Sequence, residues 1–248
     1  MEASLRKVEL LEKIQSHLGK FVPETVIHLI EETPEAPALD KRDRDVSVLF
    51  LDIAGYTRLS EANSREKMNA LVEQYFSSFL DAIHQNHGDI NETAGDGLMI
   101  LFQGDNPIDN ASDAVRTAVA IQEKVAEINR TVDGTDPIAI NIGINSGVAA
   151  VGSTRFEGLT GGRWTYTASG PVTNTAARLA GLATNGEIYL GEETATRVQT
   201  TFQLEFVGTR QLKNVQEPIH VYQVNPIPGE SDGDTGIAPC RRYHDVQS

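Results

Sequence analysis

The chain has 248 residues, a formal net charge of −14, 40% hydrophobic residues and 23% charged residues. These are ordinary values for a globular protein with one sizeable core, and the acidic balance argues against binding to nucleic acid or anionic lipid, which needs clustered Lys and Arg. The single cysteine, Cys240, excludes an internal disulfide and a cysteine-based metal site. No apolar run approaches the ~20 residues of a membrane span, and the charged N-terminus lacks the apolar core of a signal peptide. The sequence therefore predicts a cytoplasmic protein without membrane insertion.

The first part of the chain, residues 1–43, is predicted to form a helical leader and a linker. Apolar residues recur at intervals of three and four from Leu5 to Leu18, and a second amphipathic piece follows Pro23. The stretch TPEAPALDKRDRD, with its prolines and dense charges, is typical of a solvated linker. We expect the main domain over 44–226 and a disordered tail over 227–248, which has little to bury.

Strand-like and helical segments alternate in the main domain. A strand, VSVLFLDI, is followed by a helix over about 63–85, a hairpin over 90–102 and a second helix over about 111–129. The segment PIAINIGINSGVAAVG then indicates one long strand or a strand pair, and a third helix, VTNTAARLAGLA, precedes two more strand-like segments. Strand, helix, hairpin, helix, strand is the order of an α+β fold with a ferredoxin-like βαββαβ core, in which helices cover one face of the sheet.

Two acidic residues stand at element ends that this topology brings together. Asp52 lies at the end of the first strand and Asp96 at the hairpin tip, so the two carboxylates repel each other unless a cation lies between them. Each acid alone is also explained as a strand-end or turn residue. Oxygen-only ligands favour Mg²⁺ or Mn²⁺ over zinc. Gly55, Tyr56 and Thr57 follow at a predicted helix start, where backbone N–H groups can bind an anion. Together these groups suit a polyphosphate and its metal.

Three separated stretches, VLFLDIAGYTRLSE, HGDINETAGDGLMILF and YTASGPVTNTAARLAGLATNGEIYL, resemble the catalytic domain of class III nucleotidyl cyclases. The resemblance covers roughly residues 44 to 225 and preserves the order of the motifs. It implies that a 3′,5′-cyclic nucleotide and pyrophosphate are formed from a nucleoside triphosphate when the 3′-hydroxyl attacks the α-phosphorus. The leader LGKFVPETVIHLIEE is similar to a signal-transmitting helical element found before bacterial cyclase domains. That similarity implies a regulatory partner acting through the N-terminal helices.

The resemblance also assigns metal ligands and a quaternary structure. Asp52 and Asp96, with the backbone carbonyl of Ile53, would hold two Mg²⁺ or Mn²⁺ ions in each active site. In the family these acids come from one subunit, and the asparagine, arginine and lysine of the site come from the other. An active homodimer with two composite sites is therefore implied, and a monomer would be inert.

The remaining catalytic residues lie in the second half of the domain. By resemblance, Asn174 would orient the ribose and Arg178 would stabilise the transition state, and their one-turn spacing places them on one helix face. Lys213 matches a lysine that binds the triphosphate, and Arg163 is a weaker candidate for the same work. Surface positions unrelated to catalysis would also explain the arginine and the lysine.

Base recognition is assigned to Glu92, four residues before Asp96, and to Thr167, seven residues before Asn174. At the first position adenylyl cyclases usually carry lysine and guanylyl cyclases glutamate. At the second, many bacterial adenylyl cyclases carry threonine. An ionised carboxylate only accepts hydrogen bonds, which suits the N1–H and N2–H₂ donors of guanine, whereas a threonine hydroxyl serves either purine. The sequence leaves ATP and GTP open.

The chain departs from the family pattern at two places. Pro171 stands at the start of the third helix, where the proline ring suits the first turn. The glycine-rich segment Ser153 to Trp164 is longer than usual, and we expect it near the dimer interface as an arm or a flexible flap.

The main alternative to an active cyclase is a catalytically silent cyclase-fold dimer that binds nucleotide as a regulatory module. A diguanylate-cyclase-like enzyme is disfavoured because its Gly-Gly-Asp/Glu-Glu-Phe turn is absent.

Overall fold

The structure is a computed structural model that describes residues 2–131, 137–213, 215 and 217–225. The predicted disordered tail and Cys240 lie outside the described residues. The helices and strands follow in this order: α1 Glu2–Gly19, α2 Glu24–Glu32, β1 Arg42–Ile53, α3 Tyr56–Ala62, α4 Arg65–Gln85, β2 Asp89–Ala94, β3 Gly97–Phe102, α5 Pro107–Thr131, β4 Ile140–Gly158, β5 Gly161–Ser169, α6 Pro171–Leu182, β6 Ile188–Gly191, α7 Glu192–Val198, β7 Leu204–Arg210 and β8 Ile219–Val224.

One sheet organises the molecule. Its strand order is β2-β3-β1-β4-β6-β8-β7, and β5 pairs with β4 off this path. The four strands β2, β3, β1 and β4 are mutually antiparallel neighbours, and α4 and α5 connect them as in a βαββαβ unit. The predicted α+β fold with its ferredoxin-like core and N-terminal helices is therefore confirmed. The stretch predicted as one long strand or a strand pair is a single strand, β4.

The main hydrophobic core lies between one face of the sheet and the helices α4, α5 and α7. On β1 it contains Leu49, Leu51 and Ile53, all at most 2% exposed. Helix α4 contributes Phe79 and Ile83, which are fully buried. These are the apolar positions that helical spacing assigns to the inner face.

The opposite face of the sheet is covered as well, which corrects the expectation that helices cover only one face. Val46 and Val48, the alternate residues of β1, are fully buried in a second cluster with residues of α2, β5 and α6. Neighbouring residues of a strand point to opposite faces of the sheet. A strand whose odd- and even-numbered residues are both apolar is therefore buried on both sides. Tyr166 of β5 belongs to this second cluster.

The predicted solvated linker is partly wrong. β1 begins at Arg42, inside the charged run, because residues 42–45 pair with β4 through the backbone, which does not depend on side-chain polarity. Leu39 is 6% exposed, and its carbonyl accepts a hydrogen bond from the Ser153 amide at 2.7 Å. The leader also contacts the domain, since both carboxylate oxygens of Asp89 accept from backbone amides at the start of α2.

The long glycine-rich segment forms the distal part of the β4–β5 hairpin. The two strands pair to the end, Gly158 opposite Gly161, and the hairpin exposes Phe156, Leu159 and Trp164. Within the described residues, no helix combines the length and apolar character that spanning a bilayer requires.

Candidate active site

The end of β1 and the tip of the β2–β3 hairpin bring two acids together. Asp52 pairs with Gly97 in the β1–β3 ladder, directly beside Asp96. The amide of Ile53 donates to the backbone carbonyl of Asp96 at 3.2 Å, which fixes the tip against the strand end. Asp52 and Asp96 are both partly exposed, so solvent and ligands can reach this edge of the sheet. The two acids therefore lie side by side, as the predicted topology implied.

Asp52 is held in an electrostatic environment that disfavours its charge. Burial raises the pKa of the Asp52 carboxyl above its ordinary value, the negative charge of Asp96 raises this pKa further, and a hydrogen bond from the Asn141 side chain lowers it. Two repelling carboxylates are the situation that a divalent cation relieves. Among the described residues there is no larger group of His, Cys, Asp and Glu placed to hold a metal ion. The donor set is therefore an oxygen pair, which fits Mg²⁺ or Mn²⁺.

Asn141 is a site residue that sequence reasoning missed. It lies opposite Asp52 in the β1–β4 ladder, and its Oδ1 also accepts from the Gly186 amide at 3.1 Å. It therefore ties Asp52 to the turn before β6. The strand-like pattern around it contained no signal for this role, because only the register between β1 and β4 places it beside the acid.

The segment after the acid turns sharply into α3. Gly55 has φ of 69°, a left-handed conformation that glycine adopts without strain, and it caps α3 without a side-chain hydrogen bond. Gly55 and Thr57 are exposed, whereas Tyr56 packs partly against the main core. The three residues assigned to phosphate binding therefore follow the acid directly, at the start of a helix of seven residues.

The two residues assigned to base recognition contact each other. The Thr167 hydroxyl donates to Glu92 Oε1 at 2.7 Å, although 75 residues separate them in the chain. The alternative acceptor, the carbonyl of Ala168, is farther away at 3.3 Å. Glu92 is exposed and Thr167 is half-buried, so the carboxylate is oriented by its partner and remains accessible to a ligand.

Asn174 and Arg178 lie on α6 with exposed side chains. This helix begins at Pro171 as expected and approaches β4 very closely, since a Cβ on Gly143 would overlap backbone atoms of Ala176 and Ala180. The backbones of α6 and β4 therefore set the position of both side chains.

Lys213 and Arg163 are exposed as well, on either side of α6 in the chain. Within the described part of the chain, none of these four side chains hydrogen-bonds or pairs with Asp52 or Asp96. The structure of one chain therefore brings the acids together, and brings the base-recognition pair together, but does not join either group to the asparagine, arginine and lysine.

Comparison with known families identifies the domain. The model of the adenylate and guanylate cyclase catalytic domain matches residues 39–226. The chain belongs to this family. The match confirms the resemblance to class III cyclases, and it starts close to Leu39, where the structure shows the chain joining the cyclase domain.

Solved cyclases share the fold of this domain. The adenylyl cyclase CyaB from P. aeruginosa is 28% identical with a TM-score of 0.69, and the similarity covers 79% of this chain and 100% of that one. The guanylyl cyclase Cya2 is 29% identical with a TM-score of 0.67, covering 78% and 97%. Neither similarity decides between adenine and guanine for this cyclase domain, because the two values are nearly equal.

The curated relatives are longer proteins. Adenylate cyclase 1 of Rhizobium meliloti is 27% identical over 188 residues, which are 73% of this chain and 27% of that protein. An uncharacterised protein of Mycobacterium tuberculosis is 29% identical over 172 residues, covering 69% of this chain and 30% of that protein. The chain thus spans less than a third of the length of these relatives, and the similarity concerns the cyclase domain.

Proposed function

We propose that this cyclase domain converts a purine nucleoside triphosphate, with GTP preferred, to its 3′,5′-cyclic monophosphate and pyrophosphate. The observation that carries the proposal is the meeting of Asp52 and Asp96 at one sheet edge, with the pKa of Asp52 raised by burial and by its neighbour. A site that destabilises its own charges in this way is suited to a cation and a polyphosphate. Helix-start amides at Gly55 to Thr57 lie next to it for the phosphates.

Asp52 and Asp96 would hold two Mg²⁺ or Mn²⁺ ions, with the Ile53 carbonyl as a further oxygen ligand. Bound there, the ions would neutralise charge on the triphosphate and acidify the 3′-hydroxyl. The chain's own residues do the remaining work. Arg178 stabilises charge at the α-phosphorus while the 3′-oxygen bonds to it and pyrophosphate leaves, and Asn174 holds the ribose. Lys213, with Arg163 as the weaker candidate, would bind the departing phosphates.

A homodimer would complete the site. Asn174, Arg178 and Lys213 are exposed, and in the described part of the chain no hydrogen bond or ion pair joins them to Asp52 or Asp96. Side chains of this kind, placed on a rigid helix and turn, are available to the acids of a second copy. Two composite sites per dimer then follow from two-fold symmetry. The cytoplasmic location and a regulatory partner for the leader stay predictions.

The contact between Glu92 and Thr167 supports guanine. Because Thr167 donates its single hydroxyl proton to Oε1, the pair presents carboxylate lone pairs to the ligand. Guanine N1–H and N2–H₂ match these acceptors, whereas adenine N1 is itself an acceptor. Once a bound base covers the Glu92 carboxylate, an acceptor that faces another acceptor costs about 1–3 kcal/mol, which corresponds to a ten-fold or greater preference for GTP.

Product formation tests the proposal directly. The purified protein is incubated with Mn²⁺ and ATP, GTP, CTP or UTP separately, and cyclic products are quantified for the wild type, Asp52→Ala and Glu92→Lys. We expect cyclic GMP as the main product, no product from Asp52→Ala, and a shift towards ATP in Glu92→Lys. Nucleotide bound without product by a demonstrably dimeric wild type would instead favour the silent regulatory module.

Complementation tests the composite site. Asp52→Ala and Arg178→Ala should each be inactive alone, and mixing them should restore about a quarter of the wild-type activity, because half of the dimers are mixed and each has one intact site. Failure of the mixture, with subunit exchange verified, would show that the site is not shared between subunits.

A further inference from the structure

The strand that carries Glu92 contains an irregularity at the residue before it. In the β2–β3 ladder, Ile90 pairs with Ile100, whereas Glu92 pairs with Met99, so Asn91 is an extra residue in β2. Such a β-bulge locally breaks the alternation of side chains and redirects them, and bulges are over-represented next to active sites. Here the consecutive residues Asn91 and Glu92 both contact β5, which a regular strand would not allow.

Asn91 makes its own connection to β5. Its Nδ2 donates to the backbone carbonyl of Tyr166 at 3.2 Å, and Tyr166 immediately precedes Thr167. Tyr166 is 9% exposed and is packed in the second core cluster, so its carbonyl is a fixed point. Two side-chain hydrogen bonds therefore run in parallel from β2 to β5, one from Asn91 and one between Glu92 and Thr167.

No backbone ladder sets the spacing between these strands. β2 is at the end of the sheet path and pairs with β3, whereas β5 pairs with β4. Among the described residues, no backbone hydrogen bond joins β2 to β5. Side-chain contacts therefore join the two strands directly, and among the hydrogen bonds of the described residues the Asn91 bond is the one between β2 and β5 that does not involve a base-recognition residue.

The side-chain amide of Asn91 is only half satisfied in the structure. Asn91 Oδ1 is buried and has no hydrogen-bond partner among the described residues. An unsatisfied buried acceptor costs about 1–3 kcal/mol, while the other end of the amide, Nδ2, pairs with the Tyr166 carbonyl. Exceptions to full hydrogen-bond satisfaction are concentrated at functional sites.

We propose that Asn91 is a positioning residue for base recognition. By holding the Tyr166 carbonyl, it fixes β5 against β2 and so keeps Thr167 within hydrogen-bond reach of Glu92. The Thr167 hydroxyl in turn orients the Glu92 carboxylate towards the purine. This inference rests on the proposed function, in which Glu92 and Thr167 bind the base.

Steady-state kinetics with GTP and ATP test the role in two variants. Asn91→Leu removes the donor at nearly constant size and without charge, and Asn91→Asp removes it with a charge. In both we expect the ratio of kcat/KM for the preferred purine over the other to fall about five- to ten-fold, the equivalent of one lost hydrogen bond. The fall should come from a higher KM for the preferred purine, with kcat within about two-fold because the acids are untouched.

A control and a rescue separate positioning from a structural role. In Asn110→Asp the same kind of bond is lost, since Asn110 Nδ2 donates to the Gly104 carbonyl at 2.9 Å beyond the other end of β3. This variant should leave the purine ratio unchanged. Asn91→Gln keeps the donor and should recover part of the ratio. If both Asn91 variants lower the two activities equally, with the ratio intact, the residue is merely structural and the inference is wrong.

Cyclase activity and purine selectivity are measured separately, so that the proposed function and the role of Asn91 can fail independently. If the wild type makes no cyclic product, the proposed function fails, and the same ratio is measured as Kd for the α,β-methylene analogues of GTP and ATP. A ratio that falls in both Asn91 variants then still supports the positioning role. A wild type that does not distinguish the two purines, in turnover or in binding, would overturn the inference, because there would be no selectivity to position.

Discussion

The two halves of the candidate site are built on the same hairpin, four residues apart, and they differ in how complete they are. At the tip, Asp96 faces Asp52, and among the residues that the structure describes the Asn141 side chain alone compensates the repulsion between the two charges. On the strand below, Glu92 already has a donor, the Thr167 hydroxyl at 2.7 Å. The acid pair at the tip lacks a counter-charge, whereas the Glu92 carboxylate already has a hydrogen-bond donor within the chain.

The difference indicates which property each half controls. A pair that is oriented before the ligand arrives loses little freedom on binding, so it is suited to discriminating between bases. A pair of repelling carboxylates stores unfavourable energy that a cation releases, so it is suited to binding metal and triphosphate whatever the base. We therefore expect substitutions at the tip to change turnover and substitutions on the strand to change selectivity.

The largest effect is expected at the tip. Asp96→Ala removes one carboxylate of the pair and with it part of the charge that holds the metal ions. Turnover should fall at least about 10²- to 10³-fold, and by the same factor with GTP and ATP. Initial rates with each nucleotide at saturating Mn²⁺ measure both. A change in the purine ratio that exceeds two-fold would contradict the separation of the two halves.

The next effect concerns the helix that carries Asn174 and Arg178. In Gly143→Ala the new Cβ would collide with the backbone of α6, including the Leu179 carbonyl carbon at 2.7 Å. Such overpacking costs about 1–3 kcal/mol of unfolding free energy, or more where backbone must move. Urea unfolding measures the loss, and turnover with both purines should fall together because α6 is displaced.

A matched control is available on the same helix. A Cβ on Gly181 would meet nothing within 4 Å. Gly181→Ala should therefore stabilise the protein by about 0.5–1 kcal/mol through helix propensity. If the two variants lose the same stability, the close approach of α6 to β4 is not the cause.

The tip was easier to predict from the sequence than the base-recognition strand. Asp52 and Asp96 follow directly from local patterns, since a strand end and a hairpin tip are adjacent in any βαββαβ sheet. The resemblance assigned Glu92 and Thr167 to base recognition but predicted no contact between them, because β5 meets β2 outside the ladder order.

Asn91 and Asn141 could not be predicted, because a bulge and a strand register, both set by distant parts of the chain, give them their partners. The charged start of β1 was misjudged for a related reason. A backbone ladder does not require apolar side chains, so residues 42–45 resembled a linker.

A smaller effect is expected on the strand. Thr167→Val keeps the shape of the side chain and removes the donor to Glu92. The carboxylate then loses one orienting bond worth about 1 kcal/mol, so the GTP:ATP ratio should fall about five-fold. Competition between the two nucleotides in one assay gives the ratio directly. Equal losses with both purines would indicate that Thr167 acts on folding and not on the base.

The smallest effect is a gain in stability at the tip. The pKa of Asp52 is raised above its ordinary value of 3.8, so the folded state binds this proton more tightly than the unfolded chain. Stability is therefore lost as the pH rises from 3.8 through the raised pKa, and the loss is complete above it. Asp52→Asn removes this cost, and in metal-free buffer at neutral pH it should raise Tm by about 1–3 °C, a small gain because solvent screens a half-exposed group.

Differential scanning calorimetry at several pH values measures this gain, with the exposed Asp105→Asn as a control that should show none. Below the ordinary pKa of the carboxyl the Asp52→Asn advantage should vanish, since the wild-type residue is then protonated in both states. Added Mn²⁺ should stabilise the wild type and not Asp52→Asn, because a ligand stabilises only the state that binds it. A variant less stable than the wild type in metal-free buffer would mean that Asn141 more than compensates the repulsion, and that the tip is as complete as the strand.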